Sequence, residues 1–220
     1  MDFTFTEEQV ALRDSINRFL MKEAAPELLR EISETSGGRS RELHAKIAAQ
    51  GITGLSVPEA QGGVGLGDID WTLVTEELGY HAIPDSLVES SYVATALLCN
   101  VQEAGALREQ WLPRVADGTA HISLEHPANP CVADAHLADL ILAFRAGKDD
   151  ALELHAVPGT GLQRSTQVSI DASRRLAILP QKLAASTRLL TGAGAQAIAD
   201  ATLDRAALAV AGQLVGLAQR

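Results

Sequence analysis

The sequence predicts an α+β fold in three parts: an all-helical domain (residues 1–118), a small antiparallel β domain (119–180) and the start of a C-terminal helical bundle (181–220). Apolar residues recur at helical spacing up to Gly118, and alternation with period two begins after it. A stretch rich in Ala and Leu, both strong helix formers, follows from Gln181. Of the 220 residues 46% are hydrophobic and only 4% aromatic, which permits a packed and mostly aliphatic core.

Cap residues mark the first helices. Thr6 and Gln9 have the spacing of a capping box, in which each side chain accepts from the other residue's backbone N–H. Ser40 is expected to begin a second helix, which Gly51 ends. Three more helices are expected at about residues 68–79, 86–99 and 103–116.

A glycine-rich run precedes the third predicted helix. Four of the six residues from Gly62 to Gly67 are glycine, and such a run loses too much entropy to form a helix or a strand. We therefore expect an irregular loop with positive φ angles or close backbone contacts. Asp68 follows as the expected N-cap of the next helix, and Gly79 as its end.

Short apolar and alternating segments predict the strands of the β domain. The candidate strands are residues 120–125, 138–144, 151–157, 161–170 and 174–179. Proline and glycine separate them, and the short connections favour antiparallel pairing.

From Gln181 to Arg220 the chain is expected to be helical. Gly212 and Gly216 each cost about 1 kcal/mol relative to Ala in a helix, and glycines on a helix face let another helix approach closely. The apolar face of this segment needs cover. We expect either a segment missing from a truncated C-terminal domain or a partner to provide it.

Charge and cysteine content restrict the function classes. The net charge of −10 argues against a nucleic-acid partner, because such proteins usually present a basic surface. Cys99 and Cys131 have no CxxC spacing, so no metal or redox site is expected. Residues 1–4 include no basic signal-peptide region, and no window is apolar for long enough to span a bilayer. We expect a cytoplasmic protein without membrane association.

Several motifs resemble the acyl-CoA dehydrogenase family. The family has a Pro-Glu-x-x-Gly-Gly loop, which matches residues 58–63, followed by a helix that ends in Glu-Glu-Leu-Gly, which matches residues 76–79. Residues 111–118 resemble the segment ahead of its β domain, and residues 205–220 the first long helix of its C-terminal domain. The order of helices, sheet and helices is also that of the family.

The resemblance implies a redox activity. In this family a glutamate base takes the α-proton of an acyl-CoA thioester, and FAD accepts the β-hydride. The base and several flavin contacts lie in the C-terminal domain of the family, beyond the position that matches Arg220. The resemblance therefore assigns no catalytic residue to this chain.

The expected flavin loop departs from the family pattern. Glu125 stands where the family has glutamate, but Leu124 replaces a flavin-facing threonine. Residues 126–130, His-Pro-Ala-Asn-Pro, replace a glycine-rich continuation, and Pro130 near the family serine offers neither a hydroxyl nor an N–H. A segment with an aromatic residue against the flavin is deleted after it. Residual FAD contacts would then fall to His121, Ser123 and Glu125.

The resemblance also suggests an acyl-binding helix. In the family, the helix that matches residues 86–99 lines the acyl channel. Val88, Tyr92, Thr95 and Ala96 have the spacing of one helical face, which suits either substrate contacts or ordinary core packing.

Three hypotheses for function remain open. In the first, the chain is the flavin-contact-poor partner in a heteromeric acyl-CoA dehydrogenase, in which a second subunit helps to hold FAD and the acyl-CoA, with a fatty acyl or steroid side-chain substrate. In the second, it is a non-catalytic interaction or acyl-CoA-binding protein of this fold. In the third, it is an ordinary flavin enzyme.

Overall fold

The computed structural model describes residues 4–171, 173–183 and 185–220. Residues 1–3, which belong to the segment considered above for a signal peptide, lie outside the described part. The helices are α1 (Glu7–Glu23), α2 (Pro26–Glu34), α3 (Arg41–Ala49), α4 (Asp68–Tyr80), α5 (Thr95–Asn100), α6 (Gly105–Ala116) and α7 (Ala193–Gln219). A π-helical segment, Val88–Ala94, runs directly into α5. No helix in the described ranges is both long and apolar enough to span a membrane.

The strands form two sheets. They are β1 (Ile122–Glu125), β2 (Val132–Ala133), β3 (Leu140–Ala146), β4 (Leu152–Pro158), β5 (Ser165–Gln167), β6 (Leu176–Ile178) and β7 (Thr187–Thr191). The larger sheet has the order β1-β3-β4-β7, and the smaller one β2-β6-β5. The α+β class and the order of helices, sheet and a final helix confirm the predicted fold.

The expectation of purely antiparallel pairing is wrong for one pair of strands. β1 and β3 pair in parallel, with Ile122 beside Leu140, whereas the other pairs are antiparallel. The reason is that the chain does not turn back directly after β1. It first passes through β2, which joins the smaller sheet, and this longer connection lets β3 run in the same direction as β1.

The predicted helix starts are confirmed at two positions. Thr6 and Gln9 form the capping box, with N···O distances of 3.2 and 3.0 Å. Ser40 caps α3 by accepting from the N–H of Leu43 at 3.1 Å. Helix α2 was not predicted, although Pro26 at its first position is a typical start signal.

The predicted ends of α4 were wrong. Gly67, not Asp68, is the N-cap, and its N–H donates to Asp70 at 3.1 Å. Asp68 instead accepts from the hydroxyl of Tyr92 and from the guanidinium of Arg205. The helix also continues through Gly79 to Tyr80, so that glycine has another role.

The glycines on α4 and α7 allow these two helices to touch. A Cβ added at Gly216 would overlap the carbonyl oxygen of Glu76, and one at Gly79 would overlap the backbone of Gln213. At Gly212 the obstacle is the Thr75 side chain. The expected close helix approach is confirmed, and it explains why Gly79 is inside the helix.

The chain is not helical throughout from Gln181, as the sequence analysis expected. Residues 187–191 form β7, which pairs antiparallel with β4. The free edge of β4 provides hydrogen-bonding partners that helix propensity alone does not consider. The helix begins only at Ala193, after Gly192 with φ of 64°.

The glycine run forms the expected irregular loop. Gly62 and Gly65 have φ angles of 86° and 72°, and a Cβ at Gly63 would overlap the carbonyl of Val57. The loop leads the chain into α4, where Trp71 is buried and stacks on Tyr92 with ring centroids 4.8 Å apart.

Candidate functional site

A cavity of about 590 Å³ lies where α4, the π-helical segment, the loop after β1 and α7 meet. This volume falls in the usual range for small-molecule sites. Part of its wall is apolar and includes Leu78, Val88, Val93, Leu124, Ala209 and Leu214. Another part is polar and includes Arg39, Ser86, Glu89, Asp134 and Arg174.

Only one of the four proposed substrate contacts borders this cavity. Val88 lines it. Tyr92 instead packs on Trp71 and donates to Asp68 at 2.7 Å, and buried Thr95 donates to the Ser90 carbonyl at 3.0 Å. Ala96 is half-buried and outside the cavity lining.

The π-helical segment explains this placement. The predicted face was based on 3.6 residues per turn, whereas i→i+5 hydrogen bonding over Val88–Ala94 rotates successive side chains differently. As a result Glu89 and Val93 border the cavity with Val88. π-Helical turns occur frequently at functional sites.

The three proposed cofactor contacts make polar contacts inside the protein. His121 Nε2 lies 2.9 Å from the Ser86 hydroxyl, and the Ser123 hydroxyl donates to the Ala133 carbonyl at 2.8 Å. Buried Glu125 forms an ion pair with Arg145. Burial raises the pKa of Glu125, while Arg145 opposes this shift.

None of these three residues borders the cavity, although Leu124 between two of them does. Successive side chains of a strand point to opposite faces, so Ser123 and Glu125 point away from Leu124.

The loop after β1 uses its own backbone donors. Pro127 and Pro130 have no N–H. The N–H of Ala128 donates to His126 Nδ1 at 3.1 Å, and the N–H of Asn129 donates to the His126 carbonyl at 2.9 Å. The N–H of Cys131 donates to the side-chain oxygen Oδ1 of Asn129 at 3.0 Å. From residue 127 to 131, therefore, every backbone N–H already has a partner within the loop.

His126 connects this loop to α7. Its Nε2 lies 3.0 Å from the carbonyl oxygen of Ala199, which can only accept, so Nε2 carries the proton. Nδ1 is then free to accept from the Ala128 N–H, and the ring edge packs against Phe144. Both ring nitrogens are hydrogen-bonded in this tautomer, and these bonds fix the loop against α7.

A polar cluster fills one side of the cavity. Asp134 Oδ2 accepts from Ser86 at 2.5 Å and from Arg39 Nε at 2.8 Å. Since the Ser86 hydrogen goes to Asp134, Ser86 accepts from Nε2–H of His121, whose pKa is lowered by burial. Asp134 is fully buried, yet Oδ1 has no hydrogen-bond partner among the described residues.

Glu89 was not identified by the sequence analysis, although it is an acidic residue inside an apolar helical run. Its Oε1 accepts from the N–H of Leu124 at 2.7 Å, while the neighbouring Ser90 hydroxyl accepts from the N–H of Ile122 at 3.0 Å. These two side chains accept hydrogen bonds from backbone N–H groups on the edge of β1 that does not pair with β3. Burial raises the pKa of Glu89 to about 8, and the charge of Asp134 adds to this effect.

A match to a known protein family identifies the family of this chain. Residues 6–119, a little more than half of the chain, match the acyl-CoA dehydrogenase N-terminal domain. The chain belongs to the acyl-CoA dehydrogenase family. The acyl-CoA dehydrogenase IpdE2 of Mycobacterium tuberculosis is 27% identical over 175 residues, which cover 79% of this chain and 51% of that protein. This chain therefore spans about half the length of that acyl-CoA dehydrogenase.

Solved structures of acyl-CoA dehydrogenases share the fold. The ChsE4-ChsE5 complex from Mycobacterium tuberculosis matches with a TM-score of 0.82 at 20% identity, covering 98% of this chain and 65% of that one. Butyryl-CoA dehydrogenase from Megasphaera elsdenii matches with a TM-score of 0.80 at 19% identity, covering 100% and 68%.

The loop after β1 does not fit the FAD that the acyl-CoA dehydrogenase family implies. A flavin loop needs backbone or hydroxyl donors for the acceptor atoms of the cofactor. Here the amides of residues 127–131 are absent or paired, and Leu124 presents an aliphatic side chain to the cavity.

Proposed function

We propose that this chain is the flavin-contact-poor subunit of a heteromeric acyl-CoA dehydrogenase. It forms an acyl-binding cavity, and a second acyl-CoA dehydrogenase subunit supplies most contacts to FAD. The α,β-dehydrogenation of the acyl-CoA thioester then belongs to the complex and not to this chain alone. The observation that carries this proposal is the hydrogen bonding of the loop after β1. Between residues 127 and 131 no backbone N–H is free to bind a cofactor, because each is paired within the loop or is missing at a proline.

Two further observations support a partner. One of the structural relatives is itself a complex of two differently named chains, ChsE4 and ChsE5. In addition, α7 exposes apolar side chains that the described chain leaves uncovered, among them Leu214 at 59%, Val215 at 50% and Leu217 at 53%. Exposed apolar surface of this kind is typical of an interface.

Co-expression tests this proposal. The gene would be expressed alone and together with acyl-CoA dehydrogenase genes adjacent to it. We expect a stable complex that contains flavin and reduces an artificial electron acceptor with an acyl-CoA, whereas the separate chain is colourless and inactive. Full activity of the separate chain would contradict the proposal.

A second candidate is an acyl-CoA-binding protein without dehydrogenase activity. The cavity favours it, because its apolar wall suits a bound acyl group without a cofactor. This candidate predicts that the chain alone binds acyl-CoA and that co-expression with neighbouring genes yields neither a complex nor activity.

A further inference from the structure

The cavity wall contains two arginines, and only one of them is paired within the chain. Arg39 Nε lies 2.8 Å from Asp134 Oδ2 and forms an ion pair with it. The side chain of Arg174 also lines the cavity, but it makes neither a hydrogen bond nor an ion pair in the described ranges. Because Arg174 is exposed, its guanidinium offers N–H donors and a positive charge to a ligand.

Three acidic residues of the same wall carry little uncompensated charge at neutral pH. Asp134 forms the ion pair with Arg39. Asp85 Oδ2 lies 3.3 Å from Nδ1 of His44, and this contact raises the pKa of His44, so that protonated His44 balances Asp85. Burial raises the pKa of Glu89 to about 8, so its carboxyl group is mostly neutral at pH 7.

Asp171 is the acidic residue that competes with a ligand for Arg174. Its Oδ1 accepts from the hydroxyl and the N–H of Ser173 at 2.7 and 2.8 Å, and these bonds lower its pKa, so Asp171 is charged at neutral pH. It forms no ion pair with Arg174 in the part of the chain described here, and both side chains are exposed, so water and salt weaken their attraction. His126 also lines the wall, but its Nδ1 accepts a hydrogen bond, so the ring is neutral. Arg174 therefore remains available to an anion from outside the chain.

The acyl-CoA of the proposed function carries such anions, because its CoA part contains phosphate groups. The net charge of −10 repels an anionic ligand at long range, so binding needs a local cation. Arg174 belongs to the exposed part of the wall, whereas Leu78, Val93 and Ala209 form its buried apolar part. An acyl chain is stabilised against the buried part, while phosphates at the exposed part keep their contact with water. A guanidinium also matches phosphate oxygens with two parallel N–H donors.

From this arrangement we infer that Arg174 binds a phosphate group of the CoA part of the ligand and thereby fixes the direction in which acyl-CoA lies in the cavity. Arg174 is a binding residue without a role in the chemical step. This inference rests on the proposed function, because it assumes that the cavity binds an acyl-CoA. A carboxylate at the end of the acyl chain would also attract Arg174, but the acyl end would then lie at the surface and the CoA part against the buried apolar wall.

Calorimetric titration at low salt, of the full chain and of its complex when one co-purifies, tests this inference. The probes are octanoyl-, decanoyl- and dodecanoyl-CoA, the corresponding acyl-pantetheines, which lack every phosphate, and ω-carboxyacyl-pantetheines. We expect acyl-CoA to bind the unaltered protein about 3-fold or more tighter than the acyl-pantetheine of equal length. Added salt should reduce this difference, because it screens the charge of Arg174.

Substitutions at Arg174 assign the difference to this residue. Arg174→Gln should weaken the binding of acyl-CoA about 3-fold or more and leave that of acyl-pantetheine unchanged, because only acyl-CoA carries phosphate. Arg174→Lys keeps the charge and should retain part of the preference. Arg18→Gln removes the same charge at an exposed position of α1 outside the cavity lining, and as the matched control it should change neither affinity.

The outcomes separate this inference from the proposed function. Equal affinities of the unaltered protein for acyl-CoA and acyl-pantetheine overturn the role of Arg174 without any variant and leave the proposed function intact. The same holds if Arg174→Gln weakens acyl-CoA binding no more than acyl-pantetheine binding, or no more than Arg18→Gln does. An effect of Arg174→Gln on ω-carboxyacyl-pantetheine alone overturns the inference in favour of a carboxylate on the acyl chain. If neither the chain nor its complex binds any of these probes, the inference and the proposed function are both wrong.

Discussion

At the residue scale, Glu89 combines two roles in one carboxyl group. It satisfies the free edge of β1 through the Leu124 N–H, and it presents a protonated oxygen to the cavity. Burial in a mostly apolar wall raises its pKa to about 8, because the charged form loses its hydration. This makes its protonation state measurable through the stability of the fold.

Replacing Glu89 with Gln should change the pH dependence of stability. The folded chain keeps a proton that the unfolded chain releases above its ordinary pKa of 4.5, so the stability due to Glu89 is fully present below 4.5. It is lost as pH rises towards about 8. Glu89→Gln should therefore equal the unaltered chain at low pH and become progressively more stable above pH 4.5.

Urea denaturation at a series of pH values measures this difference. Glu103→Gln, at an exposed position, is the control and should follow the unaltered chain throughout. A Glu89→Gln variant that is less stable at pH 8 than at pH 5, relative to the unaltered chain, would contradict the buried protonated carboxyl.

His126 holds the loop after β1 through three groups: the Ala199 carbonyl, the Ala128 amide and the Phe144 ring. Replacing His126 with Ala leaves the Ala199 carbonyl and the Ala128 N–H without their hydrogen-bond partner. We expect a loss of about 1–3 kcal/mol in unfolding free energy. Exposed His136, which lies 3.0 Å from the Gly37 carbonyl, is the control, and His136→Ala should cost less than about 0.5 kcal/mol. Equal losses in the two variants would show that the loop does not depend on His126.

At the element scale, the contact of α4 with α7 depends on glycine. Gly216→Ala places a methyl group against the Glu76 carbonyl, and such overpacking typically costs about 1–3 kcal/mol. Gly194, at the start of α7, has its nearest neighbour 3.9 Å from an added Cβ, so Gly194→Ala should be neutral or stabilising. Thermal unfolding of both variants measures the difference. A Gly216→Ala variant as stable as Gly194→Ala would contradict the packing described here.

Local signals predicted many elements, and longer-range contacts explain the failures. The capping box at Thr6 and the cap at Ser40 depend on residues three positions apart, so the sequence alone suffices for them. The strand at residues 187–191 depends on the edge of β4, and the parallel pairing of β1 depends on where β2 goes. Neither partner can be seen in the local pattern.

In the candidate site, too, features set by the local sequence were predicted, whereas features set by distant contacts were not. The change from glycine to proline in the loop after β1 is visible in the sequence, and it indicated the loss of backbone donors. The closure of the loop by His126 onto Ala199 could not be predicted, because the two residues are 73 positions apart. The π-helical turn that brings Glu89 to the cavity also escaped prediction, since an α-helical period was assumed there.

At the scale of the whole molecule, the cavity exists only because three parts of the chain meet. α4 and the π-helical segment provide one side, the loop after β1 another, and α7 covers both through its glycine contacts. The polar cluster of Arg39, Ser86, His121 and Asp134 joins the helical part to the β domain beside the same space. The fold is thus that of the acyl-CoA dehydrogenase family, with a cavity of about 590 Å³ beside the loop after β1.

Flavin titration of the separately purified chain tests the central claim most directly. The chain, freed of bound cofactor, would be titrated with FAD while flavin fluorescence and visible absorbance are recorded. Because the amides of residues 127–131 are absent or paired, we expect no saturable uptake, with flavin retained only when a partner subunit is present. Tight binding of one FAD per chain, weakened by substitutions in residues 124–130, would contradict the account.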